Sequence, residues 1–251
     1  MPDSLVALRH AFKQHGVVLL PRTSGDIRPG VVLNHRYEVV DHLSDLRENG
    51  KSFFSSVGVV SLGDPTPASF VVDEVTGTTS GGGHVGANFM KIASVKAAAA
   101  ASSEVSIRFG PLSIVRVRAG LDAFGKPAFL EGADYCSLLT SNLKWAPFKV
   151  LAGEMRKHAL GLPALFPRRL EIAEALVYAE SVEFKFKRAS GVDFEAAVSP
   201  YQNLDIQAGF QITTTKEGTV SWRNGSAMPV GFIPVRYVFR ERDDTFIPAM
   251  E

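Results

Sequence analysis

Strict alternation of apolar and polar residues constrains this chain more than any other feature. Val182, Phe184 and Phe186 alternate with Glu183, Lys185 and Lys187, and Val105, Ile107 and Phe109 alternate with Glu104, Ser106 and Arg108. Further on, Ile206, Ala208, Phe210 and Ile212 alternate with Asp205, Gln207, Gly209 and Gln211. A period of two sends successive side chains to opposite faces, so each run reads as a half-buried strand. In residues 170–188 the apolar residues also fall on even positions, interrupted by Glu174 and Glu180. The first half of that segment fits helical spacing as well, which leaves both conformations open. Alternation of this kind serves two environments: an ordinary antiparallel sheet over a core, or barrel strands that cross a bilayer in about 9 to 11 residues.

Helical patterns are fewer. Ser4 is placed to cap a helix with Leu5, Leu8 and Phe12 on one face and Gly16 at its stop. A strand over residues 17–20 follows, closed by Pro21, and residues 22–29 are turn-rich. Residues 31–33 and 37–40 read as extended, and residues 50–67, with Gly58, Gly63, Pro65 and Pro67, as short strands and turns. Residues 147–158 have helical spacing, with Phe148, Leu151 and Met155 on one face; the alanine run 97–101 suits several conformations. Asn224-Gly225 signals a hairpin between residues 220–222 and 230–232, where Pro229 and Pro234 restrict the second strand to an edge or an interruption. Strands are not regularly followed by crossover helices, so the fold class is α+β. Nothing marks a linker between domains, and no repeat of 20 to 50 residues recurs.

With 45% apolar residues and 17 Phe, the 251-residue chain has enough to bury that disorder is excluded as its main state. Lys plus Arg number 27 against 26 Asp plus Glu, so a net charge of +1 offers no overall field for nucleic acid, which is not an expected partner. A single cysteine, Cys136, excludes an internal disulfide and multi-cysteine metal sites, and suits a reducing compartment. No run nears the roughly 18 apolar residues of a spanning helix, and Asp3 stands where a signal peptide carries bases. The expected resting state is soluble and cytoplasmic.

The usual catalytic constellations fail. Gly81, Gly83 and Gly86 form a GxGxxG after the apolar residues 70–72, the loop that a nucleotide-dependent enzyme would use. Residues 74–78 already separate it from that run, and no βαβ pattern surrounds it, so it reads as a flexible loop. Ser141 and Lys144 spell SxxK without its partner motifs. The histidines (His10, His15, His35, His42, His84, His158) give no HExxH and no i, i+4 pair, and Cys136 reads as a buried small hydrophobe. Asp41 and Asp45 would share a helical face but lack a third ligand. No catalytic, cofactor or metal residue is expected.

Charge is locally uneven. Up to Arg36, five bases (Arg9, Lys13, Arg22, Arg28, Arg36) face Asp3 and Asp26, net +3; in residues 144–169 six bases face Glu154, net +5. These patches are either solvated faces or contacts to an anionic surface, where each base adds about 1 kcal/mol. Arg9, Lys13, Arg22, Lys149, Arg156 and Lys157 are the candidate contacts to acidic lipid.

The segments LEIAEAL (170–176), SVEFKF (181–186), VSPYQ (198–202), GTVSW (218–222) and PVGFIPVRY (229–237) resemble, in order, the second half of bacterial gasdermins. The amino-terminal helix, the strand that ends at Pro21 and residues 21–29 resemble that family's opening; together these cover about half the chain. The resemblance implies a twisted, mostly antiparallel sheet with surrounding helices, like the gasdermin amino-terminal domain, and no enzyme activity. It implies a pore-forming domain over residues 1–240 and a short autoinhibitory tail, 241–251. It also implies that a partner protease removes the tail, and that the protein then inserts β-hairpins into the inner membrane, oligomerises into a large pore and kills the cell in antiphage defence. Many bacterial members carry a lipidated cysteine within their first few residues; this chain has none there, which puts self-acylation in doubt.

Under this reading residues 89–120 and 170–198 rearrange into the membrane hairpins, with Val105, Ile107, Phe109, Val182, Phe184 and Phe186 toward lipid. Phe246, Ile247 and Met250 would hold the tail at rest, and the bonds after Arg240, Arg242, Asp243 and Asp244 bracket the cut. A soluble β-rich ligand-binding protein remains the alternative, using the same alternation for a core alone.

Overall fold

The computed structural model describes residues 4–20, 28–33, 39–42, 47–48, 51–52, 61–79, 93–121, 123–125, 127–131, 135–136, 153, 157, 160, 170–188, 210–214, 220–224, 227–240, 242 and 245–249. In chain order the elements are α1 (Ser4–Lys13), β1 (Val18–Leu19), β2 (Val31–Leu33), β3 (Val39–His42), β4 (Arg47–Glu48), β5 (Lys51–Ser52), β6 (Ser61–Leu62), β7 (Thr66–Pro67) and β8 (Val75–Thr78). There follow α2 (Ala93–Ala100), β9 (Ser102–Phe109), β10 (Leu112–Leu121), β11 (Pro127–Phe129), β12 (Leu170–Ala179), β13 (Val182–Arg188), β14 (Phe210–Thr214), β15 (Val220–Asn224), β16 (Met228–Arg240) and β17 (Thr245–Pro248). Every strand pairing resolved in register is antiparallel. The result is the α+β fold expected where strands are not regularly followed by crossover helices, with few helices among the described residues.

The chain divides into two compact units. The first holds residues 1–25, 66–114 and 177–232, and is built on the three-stranded sheet β13-β9-β8 with α1 and α2. Helix α1 forms because Leu8 and Phe12, one turn apart, are fully buried, while Arg9 and Lys13 stay exposed. It stops at Gly16, whose φ of 69° opens the left-handed region; Gly16 N–H bonds Lys13 O and Val17 N–H bonds Phe12 O, which satisfies the last carbonyls. At the other end a Cβ added to Gly77 of β8 would stand 2.5 Å from Ser4 Cα, so only glycine lets the helix approach this closely. Strand β14 pairs with β15 over five residues in the same unit.

The second unit holds residues 26–65, 115–176 and 233–251. Within it β2 pairs with β3 and with the start of β12, β6 and β11 flank β10, and β17 runs along the end of β16. Its core draws on Val31, Val32, Leu33, Val117, Ile172, Leu176, Tyr135, Tyr237 and Phe246.

Several sequence expectations need correction. Ser4 is the first helical residue and wholly buried, and its hydroxyl has no hydrogen-bond partner, so it does not cap the helix; the close packing on Gly77 takes up that position. Asp41 lies in strand β3, so it shares no helical face with Asp45. The expected pairing of residues 220–222 with 230–232 is not seen among the described residues: β15 pairs with β14, and residues 231–232 of β16 pair with β1; Gly225 lies outside the described residues. Strand β16 runs unbroken through Pro229 and Pro234; Pro234 falls between the segments paired with β1 and with β17, where neither partner needs its missing N–H. Residues 170–188, open between helix and strand, are two strands, whereas the alanine run is the end of α2.

Candidate functional site

Strands β9 and β13 bring the six candidate lipid-face residues together. Their register pairs Val105 with Phe186, Ile107 with Phe184 and Phe109 with Val182. All six are at most 6% exposed, and the Phe184 and Phe186 rings lie near parallel at 6.3 Å. On the other side of β9, β8 places Val75 opposite Ile107 and Gly77 opposite Val105. One continuous apolar face results, and α1 covers part of it: Phe12 meets Phe109 edge to face, 5.1 Å between centroids. The faces alternate because strand side chains do, so what is core at rest is set by the same period that would set a lipid face.

The opposite face is polar. Lys187 Nζ lies 3.8 Å from Glu104 across the strands, and Lys185 Nζ lies 3.8 Å from Glu183. Ser106 donates to Glu74 and is 3.3 Å from the Thr76 hydroxyl. At the end of this pair the strands break at Gly110-Pro111 and at Glu180-Ser181, with a bend at Glu180; Gly110 N–H bonds Ser181 O and Glu180 N–H bonds Pro111 O.

The segment called the tail is a strand. β17 pairs with β16 as Arg240↔Thr245, Phe239↔Phe246, Val238↔Ile247 and Tyr237↔Pro248, and Ala249 N–H continues the ladder to Arg236 O at 2.8 Å. Antiparallel partners alternate between bonded and non-bonded pairs, so Phe246 and Pro248 sit at non-bonded positions. Pro248 therefore sacrifices no bond to β16, and the Phe246 carbonyl faces away from it. The Cys136 thiol takes that carbonyl, Sγ to O 2.8 Å. Phe246 is 1% exposed, Ile247 half-buried, and Met250 lies outside the described residues. Of the candidate cut positions Arg240 and Arg242 are exposed; Asp243 and Asp244 lie outside the described residues.

Three groups near this strand were not singled out by sequence reasoning. Arg236 Nε bonds the buried Glu171 at 3.1 Å, and Arg116 Nε stands 3.8 Å from Glu174. Tyr237 is fully buried, and burial pushes its phenol well above the ordinary 10.0, with Cys136, Glu174 and Tyr135 adding to the rise and a Cys136 backbone hydrogen bond opposing it. Because the folded value lies above the unfolded one, Tyr237 contributes fully below pH 10 and loses its contribution as pH rises further. Tyr237→Phe is expected to flatten the fall of stability above pH 10 by about 1.4 kcal/mol per pH unit, measured as urea midpoints from pH 8 to 11.5. An unchanged slope sinks that assignment. A Glu inside an apolar strand was the one signal present, and it needed the facing Arg236 to be interpretable.

Of the candidate acidic-lipid contacts, Arg9, Lys13 and Lys157 are exposed, while Arg22, Lys149 and Arg156 lie outside the described residues, as do Gly81, Gly83, Gly86, Ser141 and Lys144. Of the helix expected over residues 147–158, only Gly153 and Lys157 are described, both helical. Among the described residues no group of three or more His, Cys, Asp or Glu is placed to hold a metal, and no helix is long and apolar enough to cross a membrane.

This arrangement defines a gasdermin-like α+β fold. A solved structure of a bacterial gasdermin from Bradyrhizobium tropiciagri matches with a TM-score of 0.53 over 96% of this chain and 89% of that one, at 11% identity. No family model matches the sequence, and no curated protein does.

Proposed function

We propose that this chain is an autoinhibited pore-forming protein of gasdermin type, cytoplasmic at rest, whose cut form enters the inner membrane and kills the cell. The observation that carries the reading is the β9–β13 pair on a gasdermin-like fold: three apolar cross-strand pairs on one face and charged side chains on the other. A spanning strand needs about 9 to 11 residues, and β9 and β13 have 8 and 7, so each recruits residues through its bend. Closing such strands from many copies into a barrel satisfies every backbone edge in lipid. The partners are an activating protease that cuts near Arg240, further copies of the chain, and acidic lipid met by Arg9, Lys13 and Lys157. In antiphage defence such a pore ends infection by ending the cell.

Dye release from liposomes tests this. The full-length chain is expected to leave vesicles intact and a form truncated after Arg240 to empty them, faster with acidic lipid. If no truncation between Val235 and Thr245 permeabilises any vesicle, the pore reading is wrong and a soluble binding role for the same sheet replaces it.

A further inference from the structure

We propose that residues 236–240 of β16, with the socket that takes Phe246, are a strand-acceptor site for a short extended peptide, and that residues 245–249 occupy it as a replaceable ligand. The geometry separates tether from ligand. Arg240 pairs with Thr245, so residues 241–244 form only the connection, and Arg242 within it is exposed. A cut after Arg240, Arg242, Asp243 or Asp244 removes no residue of β17 and none of its contacts. What holds the segment is independent of the chain link: the ladder from Thr245 to Ala249, the buried Phe246 ring and the thiol of Cys136 on the Phe246 carbonyl. Main-chain pairing gives such a site its grip, and the pocketed alternate side chain gives its selectivity. The site therefore recognises an extended peptide with an aromatic residue that enters the socket and, two residues on, a position that needs no N–H. Pro248 fits that position.

A four-residue link holds the segment at an effective concentration in roughly the millimolar range, whereas a free peptide is present only at its own concentration. Cutting then lowers occupancy only as far as dilution allows, and the same peptide supplied in trans restores it. That regulatory consequence rests on the pore reading; the binding does not.

The test uses the full chain with residues 241–244 replaced by a specific protease site, nicked in solution. Fluorescein-labelled peptide of residues 245–251 is expected to exchange onto the nicked protein, read by fluorescence polarisation, and its Phe246→Ala version to bind about 100-fold more weakly. The uncut full chain carrying Phe246→Ala is expected to take up the wild-type peptide, and the uncut wild-type chain to exclude it. Absence of binding to both the nicked protein and the uncut variant, or equal binding of both peptides, overturns the acceptor site. Binding, with no vesicle leakage by the nicked protein even after dilution has released the peptide, upholds the acceptor site and overturns the pore reading; leakage that excess peptide does not slow, with no binding, does the reverse.

Discussion

Ile107→Asp is expected to abolish the folded resting state, and Lys185→Asp to leave it folded. Ile107 is fully buried at the centre of the three-stranded sheet, between Val75 on β8 and Phe184 on β13. An unpaired carboxylate there costs several kcal/mol even if it protonates, against a total stability of about 5 to 15 kcal/mol. Phe184→Asp, across the strands, should behave the same way. Lys185 is on the other face, its side chain 39% exposed, with one loose ion pair to Glu183 at 3.8 Å. Losing such a pair costs about 1 kcal/mol or less. Circular dichroism and urea unfolding check this: a wild-type midpoint for Ile107→Asp contradicts the packing. In the proposed pore the same comparison reads the second state. Lys185→Asp should keep most leakage by the cut form, and equal loss from both faces would point to misfolding.

Phe246→Ala/Ile247→Ala is expected to free the tail while the rest of the chain stays folded. Truncating a buried Phe costs about 3 to 5 kcal/mol, and the half-buried Ile247 adds less. A closely balanced equilibrium would move by two orders of magnitude or more. Cys136 is a built-in reporter, since its thiol is engaged by the Phe246 carbonyl at rest. Its reaction with a maleimide should quicken while cooperative unfolding is retained, and expression should become toxic. Insoluble, non-toxic protein would instead show that Phe246 and Ile247 simply complete the core.

What the sequence made legible was what one period controls. Helix α1 with its Gly16 stop, and the alternation of β9 and β13, follow from spacing alone. Partner choice did not. Nothing local says that β9 pairs with β13, 73 to 86 residues away, or that β15 takes β14 as its partner. Two-residue strands such as β6 and β7 carry no period and exist only because β10 supplies their partner. Proline rules misjudged β16, because an absent N–H matters only where a neighbour would accept it. The tail is apolar and expected to dock; that it docks as a strand on the neighbouring residues 237–240, with its Phe246 carbonyl taken by a thiol 110 residues away, is not written in its own spacing. Glu171 and Arg236 are 65 residues apart, and neither is unusual until the other is beside it.

Across the break at Gly110-Pro111 and Glu180-Ser181 the residue count on the two strands never slips. Phe109 faces Val182, Gly110 bonds Ser181, and Pro111 bonds Glu180, each step forward on one chain matched by one step back on the other. A slip of a single residue would turn Val105, Ile107 and Phe109 toward the charged side and strand their partners. With the count kept from Val105 to Pro111, straightening this segment in the proposed pore exchanges no pairing, and Val105, Ile107 and Phe109 keep the face they already have.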